Sequence, residues 1–208
     1  LSSGDAFDCD VDGDGVYDSA TERFYYVTDM NNDTAVLIYY NNVSGGKPSN
    51  DKYYSYDSSG ENWHGPRTAM EQLPTTSQWS NVKLTNTERV LTNEYGTNST
   101  KGGYTYPDVL SYKGYAARLL TIAELRKIVG FYIPTWKTGE FDKHLYLVEN
   151  TNSKFDGFWL ENPRNTMPAY AWMIYATTRR LHSVEVNSKN AILGVRPVIE
   201  VAKDDINY

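Results

Sequence analysis

Apolar positions along this chain come in short bursts, and most of the bursts are rich in β-branched and aromatic residues, the composition of strands. Arg23-Phe24-Tyr25-Tyr26-Val27 and Ala35-Val36-Leu37-Ile38-Tyr39-Tyr40 flank the turn-rich stretch Asp29-Met30-Asn31-Asn32-Asp33, which predicts a hairpin. Leu145-Tyr146-Leu147-Val148, Phe158-Trp159-Leu160, Ala171-Trp172-Met173-Ile174-Tyr175 and Val195-Arg196-Pro197-Val198-Ile199-Glu200-Val201 read as further strands. The early run Phe24–Val27 and the late run Val195–Val201 are expected in one sheet that closes the domain on itself.

Helical signals are confined to two places. In Thr121-Ile122-Ala123-Glu124 the hydroxyl and the carboxylate can satisfy each other's free backbone amides, a capping box. Ile122, Leu125, Ile128 and Val129 then share one face, and Gly130 supplies a left-handed stop. A second helix is expected from Pro66 through Gln72, with proline at a favourable first-turn position and Pro74 beyond its end. Residues 41–62, with Asn41-Asn42-Val43-Ser44-Gly45-Gly46 and Asp57-Ser58-Ser59-Gly60, are polar and glycine-rich, which predicts a surface loop with little regular structure. No internal repeat is visible. Short strands, long polar loops and two helices give an α+β class, and one domain over residues 1–208 is the economical division.

Composition narrows the function. The net charge is −6 and no block of Lys or Arg occurs, so the electrostatic footprint of a nucleic-acid binder is missing. Cys9 is the single cysteine, which excludes an internal disulfide framework and multi-cysteine metal sites. No stretch of eighteen apolar residues spans a membrane and no signal peptide is present, while the start at Leu1 is consistent with an export or anchor segment upstream. The 18 tyrosines amid many Asn, Ser and Thr give polar-tipped aromatic surfaces suited to contact.

The densest chemistry lies in Asp8-Cys9-Asp10-Val11-Asp12-Gly13-Asp14-Gly15-Val16-Tyr17-Asp18, where five aspartates fall within eleven residues. Carboxylates this close repel unless a cation sits between them. Counting from Asp10, the side chains of Asp10, Asp12, Asp14 and Asp18 with the carbonyl of Val16 give the oxygen-rich set that Ca²⁺ takes, so a structural calcium loop over residues 8–22 is expected. An EF-hand would place a bidentate glutamate at the twelfth position, where Thr21 stands, and the flanks read as strands. The loop resembles the DxDxDG connections of integrin-like propellers and other extracellular calcium repeats. A glycosidase-type carboxylate pair would come from separate elements at a fixed spacing, so catalysis in this loop is not expected.

Tyr115-Ala116-Ala117-Arg118-Leu119-Leu120, Phe158-Trp159-Leu160-Glu161-Asn162-Pro163 and Gly194-Val195-Arg196-Pro197-Val198-Ile199-Glu200-Val201, in that order, resemble a family of bacterial surface domains of unassigned function, often fused to pilin-like or lipoprotein N-termini. That resemblance implies a C-type lectin-like fold with short mixed and antiparallel strands, two helices and long loops. The same fold is shared with formylglycine-generating enzymes and with the variable proteins of diversity-generating retroelements. Glu161-Asn162-Pro163 does not have the triplet order of calcium-dependent sugar-binding lectins, and the lone Cys9 cannot supply the copper-binding pair of the formylglycine-generating enzymes.

By resemblance to the retroelement proteins, residues 172–194 would form the ligand face. Ile174, Leu181, Val184 and Val186 would anchor it, while Met173, Tyr175, Thr177, Arg180, His182, Glu185, Asn187 and Asn190 would point outward. Trp159 and Trp172 are assigned to the core, and Arg196 to a pair with Glu161 or Glu200. His64, His144 and His182 sit in no metal-ligand or nucleophile motif, and no phosphate loop, dinucleotide fingerprint or nucleophile elbow occurs, so no enzymatic activity is expected. Together these features predict an extracellular or cell-surface binding module of the adhesin or receptor type, with a protein or glycan ligand; the alternative is a structural, pilin-like fibre subunit.

Overall fold

The β-branched and aromatic runs on either side of Asp29–Asp33 do form the expected hairpin. The computed structural model of the protein describes residues 1–98, 100–101, 104–105, 109–149 and 154–206. In chain order its strands are β1 (Ala6–Asp8), β2 (Arg23–Asp29), β3 (Thr34–Tyr39), β4 (Val43–Ser44), β5 (Lys47–Pro48), β6 (Glu88–Val90), β7 (Thr100–Lys101), β8 (Tyr104–Thr105), β9 (Val109–Ser111), β10 (Gly157–Pro163), β11 (Tyr170–Tyr175), β12 (Arg180–Glu185), β13 (Leu193–Gly194) and β14 (Val198–Ala202). Two α-helices, α1 (Arg67–Met70) and α2 (Ile122–Val129), complete an α+β fold.

Two four-stranded sheets organise the chain. The first has the order β1-β2-β3-β14 and is antiparallel throughout, so both ends of the sequence do meet in one sheet. The second has the order β12-β11-β10-β13, in which only the β10–β13 pairing is parallel. Alternate residues of β3 go to different cores. Leu37 and Tyr39 join one with Phe24, Trp159 and Met173, whereas Val36 and Ile38 join another with Phe158, Leu160, Trp172 and Ile174. The central strands β3, β10 and β11 are therefore covered on both faces, which is why they read as continuous apolar runs instead of alternating ones.

Helix α2 begins as its capping box requires: the Glu124 N–H donates to Thr121 Oγ1 at 3.2 Å and the Thr121 N–H donates to Glu124 Oε2 at 2.9 Å. Gly130 ends it in the left-handed region at φ 72°. Arg118, fully buried just upstream, donates through Nε to Glu200 at 2.7 Å and through Nη2 to Glu124 at 2.5 Å. The helix cap is thereby tied to the last strand of the first sheet.

Four expectations are corrected. Leu145–Leu147 forms a 3-10 turn and pairs with no strand; a short apolar run carries no information about its partners. Among the described residues Arg196 meets no carboxylate. Its Nε, Nη1 and Nη2 donate to the carbonyls of Tyr39, Leu147 and Tyr146 at 2.6, 3.1 and 2.9 Å, while Glu161 is taken by Arg89 and Glu200 by Arg118. Only the second half of the run Val195–Val201 is strand: Val195, Arg196 and Pro197 cross over from β13, which pairs with the second sheet, and Val198–Val201 belongs to β14, which pairs with the first. Residues 41–62 are not a surface loop, because Val43, Tyr56 and Asn62 are fully buried and β4 pairs with β5.

Candidate functional site

The acidic loop is the connection of the N-terminal hairpin. β1 and β2 set Asp8 opposite Arg23, and the Arg23 guanidinium grips the Asp8 carboxylate, which removes that charge from the loop. Beyond it, Val11 is buried and draws the chain inward. The Val11 N–H donates to Glu22 Oε1 and the Asp18 N–H to Glu22 Oε2, both at 2.9 Å. A tight turn in which the Glu22 N–H donates to the Asp18 carbonyl at 2.7 Å swings Glu22 back under the loop, where it is 6% exposed. Gly13 and Gly15, at φ 80° and 82°, let the intervening backbone fold around Asp10, whose two carboxylate oxygens accept their N–H groups at 2.8 and 3.1 Å. From outside, Ser80 Oγ donates to the Asp12 carbonyl and Asn81 Nδ2 to the Asp10 carbonyl, each at 2.7 Å.

The outcome is a triad: one carboxylate oxygen from each of Asp10, Asp12 and Glu22 lies within 4.8 Å of the others. Oxygens coordinated at roughly 2.3–2.6 Å from a cation stand at most about 5 Å apart, so this spacing and this hard donor set fit a metal ion. No ion pair reaches these three carboxylates among the described residues, which leaves their mutual repulsion for a cation to offset. The neighbouring Asp18 carboxyl is held below its ordinary pKa by the Ala20 amide and the Thr21 hydroxyl.

Of the ligands expected from the sequence, Asp10 and Asp12 belong to the triad. The Asp14 and Asp18 carboxylates lie outside it, and the Val16 carbonyl is not one of its carboxylate oxygens: Asp14 Oδ1 accepts the Val16 N–H at 2.7 Å, Asp18 serves Ala20 and Thr21, and all three residues are exposed. Glu22, absent from the expected set, completes the triad. It stands one place past the twelfth position, and allowing one extra residue in the loop would have found it.

In the late hairpin, β11 and β12 pair antiparallel with Met173 opposite His182 and Tyr175 opposite Arg180. Met173 is corrected from the outward-facing set. It is 1% exposed, because the segment around Tyr54 and Tyr56 covers that side of the sheet: Tyr56 packs on Trp159 at 5.6 Å, and its N–H donates to the Val186 carbonyl. Thr177, Glu185, Asn187 and Asn190 are exposed, and Tyr175, Arg180 and His182 are half-buried. His182 stacks on Tyr175 at 5.7 Å between ring centroids. Arg180 Nη1 donates to the Trp136 carbonyl at 2.7 Å, yet Arg180 Nε, His182 Nδ1 and Thr178 Oγ1 are buried with no hydrogen-bond partner among the described residues. Burial first, and then the charges of Arg180 and Arg164, hold the His182 imidazole below its ordinary pKa.

Of the other histidines, His144 contacts Ser3 Oγ at 3.1 Å through Nδ1, and His64 lies beside Arg67 and Glu71. Comparison with protein-family models, curated proteins and solved structures finds no match. Among the described residues no helix is long and apolar enough to cross a membrane.

Proposed function

We propose that this protein is an extracellular, non-enzymatic ligand-binding module of the adhesin or receptor type on a C-type lectin-like scaffold, with Ca²⁺ held structurally in the residue 8–22 loop. The observation that carries the reading is the polar chemistry of the late hairpin. β12 is an edge strand that presents Arg180, His182 and Glu185, and three buried polar atoms at its start lack a partner within the described protein. Buried polar groups in folded proteins are nearly always paired, so such atoms beside an exposed polar row favour a contact, through water or with local rearrangement of this edge, that completes them. Calcium is favoured over magnesium because it accepts several carboxylates in irregular geometry, as this loop offers them, whereas Mg²⁺ demands near-ideal octahedral geometry and keeps most of its water.

The test is binding of the purified protein to a panel of purified bacterial and host surface proteins and glycans, with the variant Thr177→Ala/Arg180→Ala/Asn187→Ala beside it. Partners that bind the native protein and lose about tenfold or more with the variant support the reading. Assembly into fibres that the same variant abolishes, with no partner on the panel, would favour the pilin-like subunit instead.

A further inference from the structure

A second cleft opens on the opposite side of β11 from the Met173 face. Its walls come from three distant segments: Glu94 and Tyr95, Tyr132 through Trp136, and Arg164 beside the buried Trp172. Tyr95, Tyr132 and Trp136 are 60%, 58% and 45% exposed, so three large aromatic rings crowd one small opening of about 170 Å³. Trp136 and Tyr132 are each packed against a neighbouring group. Trp136 packs on Trp172 at 5.2 Å, the Arg164 guanidinium lies 5.3 Å from the Trp136 ring, and the Arg126 guanidinium lies 4.3 Å from the Tyr132 ring while donating twice to the Ile133 carbonyl. Glu94, buried, accepts from Trp172 Nε1 at 3.1 Å and from the Asn165 N–H at 2.7 Å.

Backbone strain gathers at the same place. Among the described residues, the non-glycine positions in the left-handed region are Trp136, Thr166 and Arg179, at φ 64°, 58° and 50°. Trp136 and Thr166 line the cleft, and Arg179 precedes Arg180, whose guanidinium holds the Trp136 carbonyl at 2.7 Å. Such conformations persist where the surroundings over-determine them, and they cluster at ligand clamps.

We propose that this cleft is a metal-independent binding site for a neutral sugar ring. The chemistry selects the ligand. One carboxylate and one guanidinium balance the charge of the walls, which favours neither an anion nor a cation. Exposed aromatic faces carry a negative quadrupole that attracts the polarised C–H face of a sugar. Arg164 commits Nη1 to Ser183 Oγ at 2.7 Å, and among the described residues its other N–H groups have no acceptor, which leaves them for ring hydroxyls. The volume displaces about six waters and is below the roughly 300 Å³ of pockets for drug-sized molecules, which suits one ring with its substituents. The site is distinct from the hairpin edge proposed above, although Arg180 of that edge holds the Trp136 carbonyl: the exposed edge residues Glu185 and Asn187 do not line the cleft.

The experiment is tryptophan fluorescence titration and saturation-transfer NMR with the methyl glycosides of glucose, galactose, mannose and N-acetylglucosamine, and with cellobiose and lactose, all in excess EDTA. A saturable response to at least one sugar is expected, weakened about tenfold or more by Trp136→Ala and by Tyr132→Ala, and unchanged by Glu185→Ala/Asn187→Ala. Tyr132 and Tyr95 are the more exposed rings, so Tyr132→Ala and Tyr95→Ala should melt near the native protein, whereas Trp136→Ala also loses its packing on Trp172 and is read together with them. Absence of a saturable response to every sugar would overturn the proposal, as would equal affinity in Trp136→Ala or binding that requires calcium. A polyproline decapeptide that binds through Trp136 where no sugar does would assign the cleft to peptide and overturn it equally.

Discussion

Replacing Glu22 with glutamine separates the two tasks that this side chain performs. Without calcium, the amide keeps one oxygen for the Val11 N–H but sets an NH₂ against the Asp18 N–H, so one charge-assisted hydrogen bond is lost. That bond is worth about 1.5–3 kcal/mol, and for a chain of 208 residues each kcal/mol moves the melting temperature by about 2–4 °C. Melting of the variant in EDTA should therefore fall by about 3–12 °C. With calcium, the native protein gains RT ln(1 + [L]/Kd); at about 1 mM ion and an extracellular-grade Kd of about 0.1–1 mM this is about 0.4–1.4 kcal/mol, or about 1–6 °C. Glu22→Gln should lose that gain and Asp14→Asn, outside the triad, should keep it. Differential scanning calorimetry across a calcium series reads both effects. A calcium shift that survives in Glu22→Gln, or that Asp14→Asn abolishes as completely, refutes the triad.

The buried charges give further expected outcomes. Arg118→Met strands Glu124 and Glu200 together in the interior, and removing one partner of a buried ion cluster costs about 3–5 kcal/mol; urea denaturation should show it, and a loss under about 1 kcal/mol would mean that water reaches the cluster. His144 and His182 are both held below the ordinary value of 6.5, chiefly by burial, so the unfolded chain takes up protons that the folded one refuses. Their contribution is present above pH 6.5 and is lost as pH falls below it, so melting temperature should drop on acidification from 7.5 towards 5, and less in His182→Gln. Burial, with Asp8 and Glu22 nearby, pushes the Cys9 thiol up to about 12; iodoacetamide at pH 8 should label it only on unfolding, and rapid native labelling would contradict that environment.

Local chemistry was legible and distant chemistry was not. The capping box of α2 lies within four consecutive residues, and the β2–β3 hairpin is defined by two apolar runs with a polar turn between them, so both could be read directly. Glu22 escaped because its place in the triad depends on a turn at Asp18, and spacing counted along an extended loop does not register a turn. Met173 was misplaced by the resemblance that put residues 172–194 on a ligand face; here the chain near Tyr56 covers that side of the sheet. Arg196 found carbonyls instead of a carboxylate because the 3-10 turn at Leu145–Leu147 leaves its acceptors free beside the first sheet, a meeting of residues about fifty positions apart. The aromatic cleft had no signal in the sequence at all, since its three segments lie far apart along the chain and two of its rings stand in polar loops.

Recognition through the late hairpin is tested most directly by backbone hydrogen exchange, measured on the protein alone and with each partner that the binding panel yields. Slowed exchange concentrated over Tyr175–Asn190, with the acidic loop and the first sheet unchanged, is the footprint that a β12-edge contact leaves. Protection that falls elsewhere, with Tyr175–Asn190 exchanging as freely as in the protein alone, would contradict it.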